Sequence, residues 1–275
     1  MAQCYRHPDV ETYRICSRCE RPSCSACLSE APVGFQCVEC VKKVTPKVGE
    51  RVVRTARVNK NLALSAMPIT KLLIAINLVI FVLGKSGATW AQASKLGLAA
   101  PLINPLHEYY RLVSSGFLHY GVLHVALNMY CLWGLGLSLE ERLGPKRYAA
   151  VYFVALLGGA AGALLLEPNG LTGGASGAVF GLFGALAVAL QSRGISVMKS
   201  PLGPTLLINF VITFAVPGIS KGGHVGGFIF GVIAGFITLR PNKRGNTEWQ
   251  DLGALVAVGL FAIGLALLFA QRNGL

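Results

Sequence analysis

Charge is scarce in this 275-residue chain: Asp, Glu, Lys and Arg make up 13% of it, about half the share of an average soluble domain. Acid is scarcer than base, with 12 Asp and Glu against 25 Lys and Arg. Hydrophobic residues fill 53% of the chain and mean hydropathy is +0.56. That profile excludes an ordinary soluble domain and fits a membrane protein. An apolar signal core is also missing from residues 1–60, which are Cys-rich and basic. No cleaved signal peptide is therefore expected, and the first apolar helix should act as an uncleaved anchor.

A bilayer core takes about 20 mostly apolar residues per helix. Segments 68–84, 119–138, 148–166, 173–190, 203–217, 223–239 and 252–270 meet or approach that length. The fifth is short and stops near Pro217. Backbone groups in lipid must be paired within their own segment, so these are predicted to be helices. Pro68 suits a first helical position, where its missing N–H would be unpaired anyway.

Threading seven helices from a cytoplasmic N-terminus leaves only Lys85, Lys95, Arg111, Lys221 and Arg272 outside, with the rest of the 25 Lys and Arg inside. That is the positive-inside bias of membrane proteins. It accounts for the net charge of +13 without nucleic acid, which is not expected as a partner. The basic linker is a candidate contact for anionic lipid.

Residues 1–41 read as a separate unit. Cys4/His7, Cys16/Cys19, Cys24/Cys27 and Cys37/Cys40 are four pairs, each with two residues between its members. Such pairs grip a metal from a tight turn, and four ligands complete a tetrahedral zinc site. Eight ligands predict two structural zinc ions. A disulfide framework is the alternative, and a cytoplasmic placement argues against it. The spacing resembles a B-box-type zinc finger, with cysteines in the last pair where many members have histidines. That resemblance implies cross-braced metals: Cys4, His7, Cys24 and Cys27 on one ion, Cys16, Cys19, Cys37 and Cys40 on the other. Spacing alone leaves sequential pairing open. With few apolar residues, the unit should draw its folding energy from metal. Cys131, alone in an apolar segment, reads as packing.

Polar groups inside a membrane are costly and often functional. In the threading above, Ser176 enters from outside in the first turn of the fourth segment and His224 in the first turn of the sixth. The second segment carries His119, His124 and Asn128, the last two on one helix face. These residues fall at one level, toward the outer surface. A serine hydroxyl needs a base to become a nucleophile, and histidine is suited to that task. Gly223, Gly227, Gly231 and Gly235 recur every four residues, as do Gly173, Gly177, Gly181, Ala185 and Ala189. Such stripes let membrane helices approach closely. The backbone N–H of Ser176, the Asn128 amide and the His124 ring are candidate oxyanion donors. The outer-side carboxylates, Glu108 and Glu167, fall in loops, so a Ser–His dyad is expected.

GASG (174–177), HVGG (224–227) and HVALN (124–128) resemble the signatures of the rhomboid intramembrane serine proteases. EYYRLVSSGFLH (108–119) and EERLG (140–144) resemble the segments flanking that family's second helix, with Tyr110-Arg111 in place of its usual Trp-Arg. The resemblance covers about 68–239. It implies an all-α polytopic fold, a six-helix rhomboid-like bundle to which this chain adds a seventh helix. It implies Ser176 as nucleophile, His224 as base, and His124 with Asn128 as oxyanion support. Substrates would be transmembrane segments cut near the outer face, with no cofactor in catalysis. The expected divisions are 1–41 (zinc-binding domain), 42–66 (basic linker), 67–240 (protease core) and 241–275 (loop and seventh helix). The expected setting is a multi-pass protein of the plasma membrane whose zinc domain meets a cytosolic protein partner. The alternative is a catalytically inactive rhomboid-like binder or escort of membrane proteins. A small transporter would spread its polar residues toward the midplane instead.

Overall fold

Each of the seven apolar segments is a helix in the computed structural model, which describes residues 2–31, 34–44, 67–84, 95–104, 106–239 and 247–273. The chain divides into two units, Met1–Leu62 and Ala63–Leu275. Most of the expected linker, residues 45–66, lies outside the described residues, as do residues 240–246.

The first unit holds two small antiparallel hairpins. Strands β1 (Ala2–Cys4) and β2 (His7–Thr12) form one, and β3 (Leu28–Glu30) and β4 (Phe35–Cys37) the other, followed by helix α1 (Val38–Val44). Its buried apolar groups are largely the cysteines themselves, with Tyr5 and Leu28 packed beside them.

The second unit is helical. It comprises α2 (Pro68–Leu83), the short α3 (Ala100–Ile103) and α4 (Arg111–Ser114), α5 (Val122–Leu143), α6 (Pro145–Leu166), α7 (Ser176–Gln191), α8 (Leu202–Ala215), α9 (Lys221–Thr238) and α10 (Glu248–Asn273). Helices α5, α6, α9 and residues 248–272 of α10 are long and apolar enough to cross a membrane, while α2, α7 and α8 are shorter apolar helices. This is a polytopic membrane fold, with α2 and α5–α9 as the bundle and α10 as the additional helix.

Local chemistry sets the helix ends. Pro68 occupies a first-turn position of α2, as expected. The buried Glu140 carboxylate caps that helix from α5, accepting from the Ile69 N–H at 2.8 Å, the Thr70 N–H at 2.9 Å and the Thr70 hydroxyl at 2.6 Å. A negative group there meets both the unpaired donors and the positive helix end. Gly144, at φ +75°, turns α5 into α6, which starts at Pro145. Helix α5 begins at Val122, so His119 lies before the helix rather than within it, a correction to the expected 119–138. The stretch from Ser115 to His119 is tied down elsewhere: the Ser115 carbonyl accepts from the Gly174 N–H at 2.8 Å.

Helix α9 sits between α6 and α7 with almost no side chain separating the backbones. A Cβ at Gly227 or Gly231 would collide with the carbonyl of Gly177 or Gly181 on α7. On its other side, Gly222 and Gly226 would collide with the carbonyls of Gly162 and Gly158 on α6. The small-residue stripes thus act as a two-sided seam.

Candidate active site and metal clusters

The seam brings the first turns of α7 and α9 together. Ser176 opens α7 and His224 lies in the first turn of α9. Ser176 Oγ and His224 Nε2 are 2.8 Å apart. Helix α9 is itself anchored at this end. The Ser220 hydroxyl accepts from the Gly223 N–H at 2.9 Å and donates to the Glu167 carboxylate at 2.9 Å, which also receives the Gly222 N–H at 3.2 Å. Glu167 therefore holds the helix that carries His224 rather than the imidazole. The ring of His224 stacks on Phe180, one turn after Ser176, with centroids 4.1 Å apart. Its Nδ1 lies 2.6 Å from the hydroxyl of Thr213 on α8. Phe180 and Thr213 were not among the candidates read from sequence.

Ser176 is reached through Gly174, whose φ is +139°. A Cβ there would stand 2.9 Å from the His124 ring and 3.5 Å from Ser176 Oγ. The His124 ring and the Ser176 hydroxyl therefore border one small space that only glycine leaves open. Asn128 is buried, and its amide donates to the His124 carbonyl one turn back at 2.9 Å. His119 is buried, and its ring centroid is 4.9 Å from that of His124. Tyr120 stacks on His124 and donates its hydroxyl to the Leu171 carbonyl at 3.0 Å.

The segment before α5 braces the approach to Ser176. Leu98 and Thr172 exchange backbone hydrogen bonds of 2.9 and 2.8 Å. Arg111 is buried, pairs with Glu108 and donates to the Gly97 carbonyl at 2.7 Å. This gives the 108–119 motif a physical task, holding the 170–174 segment that leads into the serine.

The Rhomboid domain family matches residues 106–241, which contain Ser176, His224, His124, Asn128, Phe180 and Thr213. "Rhomboid protease GluP" of Bacillus subtilis (strain 168) is 34% identical over 160 residues, 57% of this chain and 31% of that protein. "RHOMBOID-like protein 6, mitochondrial" of Arabidopsis thaliana is 27% identical over 194 residues, 61% of this chain and 63% of that protein. "Inactive RHOMBOID-like protein 8" of Arabidopsis thaliana is 32% identical over 153 residues, 54% of this chain and 42% of that protein. The chain belongs to the rhomboid family. It spans less than two thirds of the length of each of these relatives.

This rhomboid also carries two clusters in its first unit that could hold metal ions. Cys4, His7, Cys24 and Cys27 bring their ligand atoms within 4.8 Å of one another, as do Cys16, Cys19, Cys37 and Cys40. The clusters interleave along the chain, first pair with third and second with fourth, which is the cross-brace pattern. His7 Nδ1 lies 3.4 Å from Cys24 Sγ and 3.3 Å from Cys27 Sγ, and Cys19 Sγ lies 3.7 Å from Cys37 Sγ. Tetrahedral zinc requires sulfur–nitrogen edges of about 3.5 Å and sulfur–sulfur edges of about 3.8 Å, from its bond lengths. The donor set fits that ion.

The thiols within each cluster differ in acidity, because neighbouring acids disfavour one another's charged forms. Burial would raise Cys4 and Cys16, but backbone N–H groups around each sulfur outweigh it and hold both at about 6. Burial and neighbouring thiols push Cys27 up to about 11 and Cys40 up to about 12. A divalent cation would let all the thiols in a cluster ionise together.

Proposed function

We propose that this rhomboid is an intramembrane serine endopeptidase that cuts transmembrane segments near the outer membrane face. The 2.8 Å approach of Ser176 Oγ to His224 Nε2 carries the reading. In it, His224 takes the Ser176 proton as the oxygen attacks the scissile carbonyl, then delivers it to the departing amine. The developing oxyanion is placed over Gly174, beside the His124 ring and the Ser176 N–H. The second hydrogen of the Asn128 amide is a further donor there.

The test is cleavage of a generic transmembrane substrate by purified protein in detergent, comparing wild type with Ser176→Ala and His224→Ala. Both variants should fall below detection, and a fluorophosphonate probe should label wild type at Ser176. Unchanged cleavage in Ser176→Ala would overturn the dyad. Wild-type protein that neither cleaves nor labels would favour the inactive binder; one relative is inactive by name.

For the first unit the proposal is two structural zinc ions in a cross-brace, forming a docking surface for a cytosolic partner or a substrate tail. The divisions at 41, 66 and 240 and a plasma-membrane location with a cytoplasmic N-terminus belong to the same reading. The bias of Lys and Arg supports the orientation. Fractionation and protease protection of an N-terminal tag test both, since one relative is mitochondrial by name.

A further inference from the structure

The imidazole of His224 is held on three sides. Ser176 meets Nε2, Phe180 covers one face, and Thr213 meets Nδ1. Thr213 is fully buried, so bulk water does not compete for that contact. Its hydroxyl oxygen also lies 2.7 Å from the backbone carbonyl oxygen of Asn209, one turn earlier on α8.

Counting protons decides which way these bonds run. Two oxygens at that distance need a hydrogen between them, and a carbonyl has none to give. The Thr213 hydroxyl must therefore donate to Asn209. Its single proton is then used, and it faces His224 with a lone pair. At 2.6 Å from that lone pair, Nδ1 has to carry a hydrogen. A neutral imidazole holds one N–H. Nε2 is then bare, and it is Nε2 that faces Ser176.

We propose that Thr213 is a positioning residue that fixes His224 in the Nδ1–H tautomer, presenting Nε2 as the proton acceptor for Ser176. The role is that of the acidic member in a three-residue site, which sets tautomer and orientation without touching substrate. A hydroxyl does this without adding charge. The bond also persists when His224 takes the second proton, because Nδ1 remains a donor. The proposal rests on Ser176 and His224 acting as nucleophile and base, but the tautomer can be read without any turnover.

The experiment uses full-length protein in detergent with ¹⁵N-labelled histidine, reading the ring-nitrogen shifts assigned to His224 by their loss in His224→Ala. Wild type should show a protonated Nδ1 and a bare Nε2. Thr213→Val keeps the shape and removes the hydroxyl. It should populate the Nε2–H form and lower kcat by about 10- to 100-fold, a part of what general base catalysis supplies, with KM unchanged. Thr213→Ser should restore both. A wild-type Nε2–H tautomer, or a Thr213→Val protein with unchanged tautomer and kcat, would overturn the proposal. So would a Thr213→Ser protein as impaired as Thr213→Val, because packing would then explain the loss. Wild type with the Nδ1–H tautomer but no cleavage and no probe labelling would remove the protease reading and leave the tautomer assignment standing.

Discussion

Gly174 shows how an absent side chain can shape a site. At φ +139° it occupies backbone space that L-residues avoid, and any Cβ would enter the gap between the His124 ring and Ser176 Oγ. Gly174→Ala should abolish cleavage of a transmembrane substrate and cost about 1–3 kcal/mol of stability through backbone strain, read by thermal unfolding. Asn128→Ala is a milder change. Loss of one oxyanion donor lowers kcat by about 10²–10³, so residual cleavage should remain measurable where Ser176→Ala shows none. Ser176 and His224 stood out in the sequence because both fall in first turns of helices that enter from the same side. Thr213 did not stand out, for a physical reason. A threonine in an apolar helix commonly bonds the carbonyl four residues back. Thr205 and Thr238 do so as well as Thr213. What separates Thr213 is its level and face on α8 as packed, which set it against the imidazole.

Among the elements, α9 does the most to assemble the site, since it is packed backbone to backbone on two neighbours. Gly231→Val would drive a branched side chain into the Gly181 carbonyl. Overpacking of that kind costs about 1–3 kcal/mol, and spreading α7 from α9 should reduce cleavage even though residue 231 is two turns from His224. Thermal unfolding and cleavage should fall together. The stripe facing α7 was readable from its spacing of four. The second stripe, Gly222 and Gly226 against Gly158 and Gly162, was hidden because it runs one residue beside the first. Helix α2 depends on a different device. Glu140→Ala would leave the Ile69 and Thr70 N–H groups without their acceptor, a loss of about 0.5–2 kcal/mol for a cap, visible as a lower unfolding temperature. Its position in EERLG marked a turn. That its partner is the start of α2, about 70 residues earlier in the chain, follows only from how α2 and α5 pack.

At the scale of the whole molecule, the two units are stabilised by different physics. The helical unit encloses large apolar clusters, among them Leu132, Leu139, Tyr148, Tyr152 and Leu182, all fully buried. The first unit encloses little except its own ligands: Cys4, Cys24 and Cys27 in one cluster, Cys16, Cys37 and Cys40 in the other. Strands of three and six residues add few hydrogen bonds. The sequence spacing made this legible, because pairs separated by two residues name the donors before any fold is known; which pairs join was not legible in the spacing and came only from the resemblance, since it depends on how the hairpins cross. Removing metal should therefore unfold one unit and spare the other. Protein purified without chelator should contain about two zinc per chain on the cross-brace reading. Adding a strong chelator should expose amides in residues 2–44 to hydrogen exchange, because ligand binding is the folding energy of such a unit. Amides of α5 to α9 should stay protected, and a fluorophosphonate should still label Ser176. Protein without zinc, or a first unit that keeps its protection in chelator, would show that packing rather than metal holds those hairpins together.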